Sequence, residues 1–253
     1  MYKHNAKQFS IYPRWILICA LAVLSALNPA HAVTSLEQID RLAEVYGALL
    51  DYRPAAIPGP RQKGQIEVAA ELDLVPSINN QIGAKTEQVR TSPVIGRVRM
   101  DWSPISGIKL GAYLIPPVTV RGTKALLYGL QAEYGWVQSK VHSSVRIHMT
   151  QGNVKGPFSA ADTSDQFILD ASGIDLRSGW FVKKWVMYAG VGLGNNKTQF
   201  RIGADGAVID GSHAYSYAMA GVGWKSGPWT LVAEQQHTFN YLSNVIFTVT
   251  YGF

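Results

Sequence analysis

The ionisable side chains of this sequence recur at every second position, opposite apolar ones. Glu67, Glu71 and Asp73 alternate with Ile66, Val68, Ala70, Leu72 and Leu74. Arg97, Arg99 and Asp101 alternate in the same way with Val98, Met100 and Trp102. Lys109, Glu133, His142, Arg146, His148, Asp170 and Glu234 complete the set that this spacing puts on one side of a sheet. Acids and bases occur in similar numbers, so the set predicts ion pairs filling a narrow interior. A pore constriction or ligand site built from the same charges is the functional alternative.

Other chemistries fit less well. His142 and His148 share a face, but six strand residues separate them by about 20 Å, too far for one metal ion. Glu234, His237 and Ser243 invite a Ser–His–acid reading, yet a triad is defined by geometry and not by co-occurrence. The glycines in Gly190-Val191-Gly192-Leu193-Gly194 lie in a stretch that alternates throughout, so they do not open a helix as a dinucleotide loop must. They are expected to leave room beside large neighbours. The single Cys, Cys19, lies in the N-terminal apolar run and is expected to be lost on processing, which leaves no thiol for disulfides or metal. The formal charge is +6, and removing Lys3, Lys7 and Arg14 of the leader leaves 6 − 3 = +3. That is a weak bias, with no basic cluster suited to nucleic acid. Neither a cofactor nor a metal is expected.

The elements that must position these residues can be read from periodicity. Residues 1–14 are basic, 15–27 are apolar, and Ala30-His31-Ala32 offers small residues at the cleavage positions Ala30 and Ala32. This is the pattern of a secretory signal, and it predicts a mature chain from about Val33. Residues 35–50 form an amphipathic helix with Leu36, Ile39, Leu42, Ala43, Tyr46, Leu49 and Leu50 on one face and a capping box of Ser35 and Gln38. Pro54, Pro58 and Pro60 stop it and stiffen a connector. The helix is expected either to pack on the rest of the chain or to act as a plug or lid at the periplasmic mouth.

Ten strands are predicted over 64–74, 93–103, 107–116, 124–137, 140–150, 165–179, 184–200, 212–226, 228–239 and 242–253. Eight or twelve remain open. The segment 165–179 changes phase near Ser172-Gly173, which predicts a bulge, and the facing of 212–226 is unassigned. Short links alternate with the longer ones at 75–92, 117–123, 151–164 and 201–211, with 240–241 a short exception, as in barrels with periplasmic turns and outer loops.

The oily set is consistent and the wet set strongly charged, so the oily side is expected to face lipid. Trp102, Trp136, Trp185, Trp224, Trp229, Tyr134 and Tyr251 sit toward segment ends, where amphipathic rings meet the membrane–water interface. The chain ends with Val245, Phe247, Val249, Tyr251 and Phe253 on one face. This last stretch resembles the terminal strand of Gram-negative outer-membrane β-barrels. The resemblance implies an all-β, antiparallel transmembrane barrel over 63–253, which the amphipathic helix and Pro-rich connector of residues 33–62 precede. It implies outer-membrane lipid and the barrel-insertion machinery as partners, the latter reading Tyr251 and Phe253.

The function expected is non-enzymatic: a narrow pore for small solutes, or a closed barrel whose outer loops bind a ligand. A surface adhesion or structural protein is the alternative, and an outer-membrane enzyme acting on lipid A or peptides a further one. No motif resembling surface proteases or lipid A deacylases of this class is evident.

Overall fold

The structure is a computed structural model that describes residues 35–74, 94–117, 119–120, 122–156, 164–203, 208–238 and 242–253. The leader, including Ala30 and Ala32, lies outside the described residues, as does the centre of each longer loop. Among the described residues one helix, α1 (Ser35–Leu50), precedes the strands β1 (Ile66–Leu74), β2 (Val94–Ile105), β3 (Ile108–Ile115) and β4 (Thr119–Val120). After these come β5 (Thr123–Gln138), β6 (Val141–Gly156), β7 (Asp165–Val182), β8 (Trp185–Arg201), β9 (Val208–Ser226), β10 (Trp229–Thr238) and β11 (Leu242–Gly252).

All strands but the two-residue β4 pair antiparallel with both neighbours, β11 with β1 and β3 with β5, so ten strands close on themselves. Closure leaves no spanning strand with an unpaired edge, the condition for a sheet in hydrocarbon. Four two-residue turns join β2–β3, β5–β6, β7–β8 and β9–β10 at one end, which also holds the start of β1 and the end of β11. Each turn contains one left-handed residue: Gly107, Ser139, Lys183 or Gly227. The opposite end carries the longer loops.

Strands β5 to β9 are 16–19 residues long, whereas the other spanning strands have 8–12. Strand β7 reverses its polarity toward the loop end without changing its facing. In β7 the odd-numbered residues face inward throughout, and pairing to β6 and β8 runs without a shift. No bulge therefore stands at Ser172-Gly173. Near the turn end the inward residues are Asp175 and Arg177 and the outward ones Ile174 and Leu176. Near the loop end the inward residues are Phe167, Leu169 and Ala171, and Asp170 is exposed on the outer wall. The expected inward Asp170 is thus corrected. What looked like a phase change is a change of surroundings, from lipid outside to water outside.

Tyr46, Leu49 and Leu50 of α1 fill the loop end of the barrel, packed with Ile115, Leu127, Val154, Phe167, Leu169 and Phe200. Side chains of the expected capping box lie outside the described residues. Asp40 meets His213 near the loop end of β9, and Gly47 packs on Asn196. The chain then runs through the lumen toward the turn end, where Gly59 touches His142 and the Arg61 carbonyl accepts from Gly107 N–H at 3.1 Å. The helix is therefore not at the periplasmic mouth. The connector after it, Asp51 to Gly59, is the segment buried along the lumen. The facing of β9 is also settled: Tyr215, Tyr217 and Met219 point inward.

Candidate functional site

The lumen is where the alternation gathers its charges. Glu67, Glu71, Asp73, Arg97, Arg99, Asp101, Lys109, Glu133, Arg146, His148 and Glu234 all face inward and are buried. His142 lies at the turn end, its ring 4.1 Å from that of Phe181. Two residues that the sequence reading passed over, Asp175 and Arg177, stand at the centre of the network and are equally buried. Their signal was present in the alternation of β7 and was masked by the assumed change of phase.

The pairs form two groups. In one, Arg97 meets Asp73 at 2.7 Å, and Arg99 bridges Glu71 and Asp101, the latter at 2.8 Å. In the other, Glu133 takes Lys109 at 2.9 Å and Arg177 at 2.7 Å, while Asp175 takes Arg177 at 3.2 Å and Arg146 at 2.6 Å. Buried charges are tolerable only when paired and hydrogen-bonded, and each of these cations has a carboxylate within reach. Glu234 is held by the Tyr188 hydroxyl at 2.5 Å and the Gln236 amide at 2.6 Å.

The connector is stitched into this wall. The Asp51 carboxylate accepts from Thr150 at 2.9 Å and from Tyr215, and lies 2.9 Å from His148 Nε2. Tyr52 N–H donates to Thr150 Oγ1 at 2.9 Å, and its ring lies 3.8 Å from Tyr113 and 5.0 Å from the Arg97 guanidinium. Arg53 covers the Tyr217 ring at 4.6 Å and donates to Thr238 at 3.1 Å. Main-chain carbonyls of Arg53, Pro54 and Ala56 accept from Gln236 at 2.8 Å, Arg146 at 2.6 Å and Arg177 at 2.8 Å. Space for the larger wall groups comes from Gly190, Gly192 and Gly194, where an added Cβ would strike Arg177, Tyr217 and Tyr215 respectively.

The other candidate chemistries separate in space. Glu234 points into the lumen, whereas His237 and Ser243 pair across β10 and β11 on the outward face, so the three do not converge. Ser243 accepts from the Gln235 amide at 2.9 Å. Among the described residues no group of three or more His, Cys, Asp or Glu could hold a metal ion.

The outside of the barrel is oily where the inside is ionic. Val191 is 60 % exposed and Leu193 63 %, whereas Arg146 and Arg177 have no exposure at all. A water-soluble barrel has the opposite arrangement. Trp102, Trp136, Trp180, Trp185, Trp224 and Trp229 gather on outward positions at the turn end, forming a girdle on that side of the oily belt. Phe253 closes the last strand there, with its N–H on the Ile66 carbonyl at 2.8 Å and its ring 4.8 Å from Tyr251.

No protein-family model matches the chain, and no curated protein does. Among solved structures it is similar to Neisserial surface protein A, at 11 % identity and a TM-score of 0.35 over 77 % of this chain and 97 % of that one. It is similar to Ail, the attachment invasion locus protein of Yersinia pestis, at 12 % identity and 0.29 over 76 % and 100 %. The translocator domain of autotransporter NalP from Neisseria meningitidis matches at 11 % and 0.37 over 86 % and 94 %. The chain's own surface defines the class. It is an antiparallel transmembrane β-barrel of the outer-membrane type, inside-out in polarity, with the turn end periplasmic and the loop end outside by the rule of that class.

Proposed function

We propose that this chain acts as a non-enzymatic outer-membrane barrel held closed by its own residues 51–60. The observation that carries the reading is the burial of every residue from Asp51 to Gly59 inside the ring of strands. A standing pore needs a continuous wet path, and here the lumen centre holds peptide and paired charge instead. Its partners in this reading are outer-membrane lipid around the apolar belt and, during assembly, the insertion machinery at Tyr251 and Phe253.

Single-channel recording on the refolded full chain tests the proposal. Bilayers are expected to stay at baseline conductance, with rare openings when the connector leaves. A steady open level in most recordings would overturn it.

A second reading is favoured by the loop-end extension of β5 to β9. There Asp170, Lys197, Gln199 and Asp210 give the outer wall a polar face above the oily belt, suited to ligand binding at the cell surface. Loss of cell or matrix adhesion on replacing these four would support it, and unchanged adhesion would count against it.

A further inference from the structure

We infer that the lumen is a binding channel for extended polypeptide, with Asp51–Gly59 as its resident occupant. The inference rests on the closed-barrel reading and adds the class of ligand. Arg146 and Arg177 grip the connector in the same way. Each guanidinium is fixed from behind by wall carboxylates: Arg146 by Asp175 through Nε and Nη2, Arg177 by Glu133 through Nη2. Each then turns its Nη1 to a main-chain carbonyl of the connector. Both arginines are held by the wall itself, so their donors are aimed before any chain arrives.

The spacing is that of an extended backbone. The two carbonyls belong to Pro54 and Ala56, two residues apart, and alternate residues of an extended chain present the same side. The arginines obey the same step in the wall, because Arg146 pairs in register with Asp175, two residues before Arg177 in β7. Gln236 on the far wall adds a third carbonyl contact, and Thr150 accepts the Tyr52 N–H. These contacts read the main chain and leave sequence unread.

Selectivity comes from three neighbouring slots. Tyr52 lies against Tyr113 and Arg97, Arg53 against Tyr217, and Ala55 is fully enclosed in an apolar cluster with Val186, Tyr188, Val232 and Ile246. The ligand is thus an extended peptide with an aromatic, a cation and a small apolar residue at positions matching Tyr52, Arg53 and Ala55. A small solute offers no repeating carbonyls to satisfy the two arginines.

The test uses the full chain with a protease site inserted in the exposed turn between Lys63 and Gly64. The chain is refolded in detergent, shown to be closed by conductance, and then cut. The freed N-terminal fragment is expected to stay with the barrel through dialysis and to exchange with an excess of a fluorescent peptide of residues 35–60. If it departs instead, the labelled peptide is expected to rebind saturably and restore closure. In the Arg146→Gln/Arg177→Gln chain, checked for folding by its heat-modifiable gel shift, release is expected to be at least tenfold faster. A fragment that leaves an intact barrel, with no rebinding and no reclosure by peptide, overturns the inference while the closed uncut barrel stands. An uncut chain that already conducts overturns the proposed function instead.

Discussion

Replacing Gly135 by alanine adds one methyl group to the lumen wall at the point where the connector leaves the barrel. A Cβ there would meet the Gly59 carbonyl carbon, its oxygen at 2.5 Å and the Pro60 nitrogen at 2.6 Å. These are backbone atoms on both sides, so no flexible side chain can swing away. Restoring ordinary contact requires the connector to retreat by about 1 Å, a displacement typical of overpacking that costs about 1–3 kcal/mol. The carbonyl bonds of Pro54 and Ala56, at 2.6 and 2.8 Å, lie only a few residues upstream and would stretch with it. At about 1.4 kcal/mol per factor of ten, docking of the connector weakens about 5- to 140-fold. Strand pairing is untouched, so the barrel should still form. The assay is single-channel recording, with Gly96→Ala as the control, because a Cβ at Gly96 meets nothing within 4 Å. More frequent openings are expected for Gly135→Ala alone. If both variants open as rarely as the parent, the connector is not what closes the lumen.

Other substitutions test the ion pairs, the lipid face and the orientation of the barrel. Arg146→Gln and Asp175→Asn should each cost about 3–5 kcal/mol in urea unfolding, because each strands a buried partner, and the double variant should cost less than their sum; strict additivity would refute direct pairing. Val191→Arg, on the outward face of β8, should destabilise by about 2–4 kcal/mol in lipid, whereas Asn195→Arg nearer the loop end should cost under about 1 kcal/mol. Equal losses would remove the polarity boundary drawn between them. With Cys19 replaced by Ser, Asp40→Cys should react with a membrane-impermeant maleimide on intact cells, and Lys63→Cys only after the outer membrane is breached. The reverse pattern would invert the barrel or the direction of the connector.

Period-two alternation places the spanning strands and most of the charged inward side. Successive strand residues alternate between faces whatever the sheet does. Glu71, Arg99 and Glu133 can be placed from their spacing alone, and a belt as oily as Val191 and Leu193 could belong only to the opposite face. Alternation does not say what lies on each side, however. In β7 the inward set changes from Asp175 and Arg177 to Phe167 and Leu169 because the surroundings change along the strand. A local pattern registers that as a slip.

The sequence by itself determined the spanning strands and, except in β9, their facing over the lipid-covered part, because both rest on a short-range period, whereas closure joins β1 to β11 across the whole barrel. Only the tertiary structure decided that the connector lies along the lumen. Its bonds run from Arg146 to Pro54 and from Arg177 to Ala56, across 92 and 121 residues of sequence. A proline-rich stretch has no period of its own to announce where its carbonyls will find donors. Those donors exist only once the strands have closed around it.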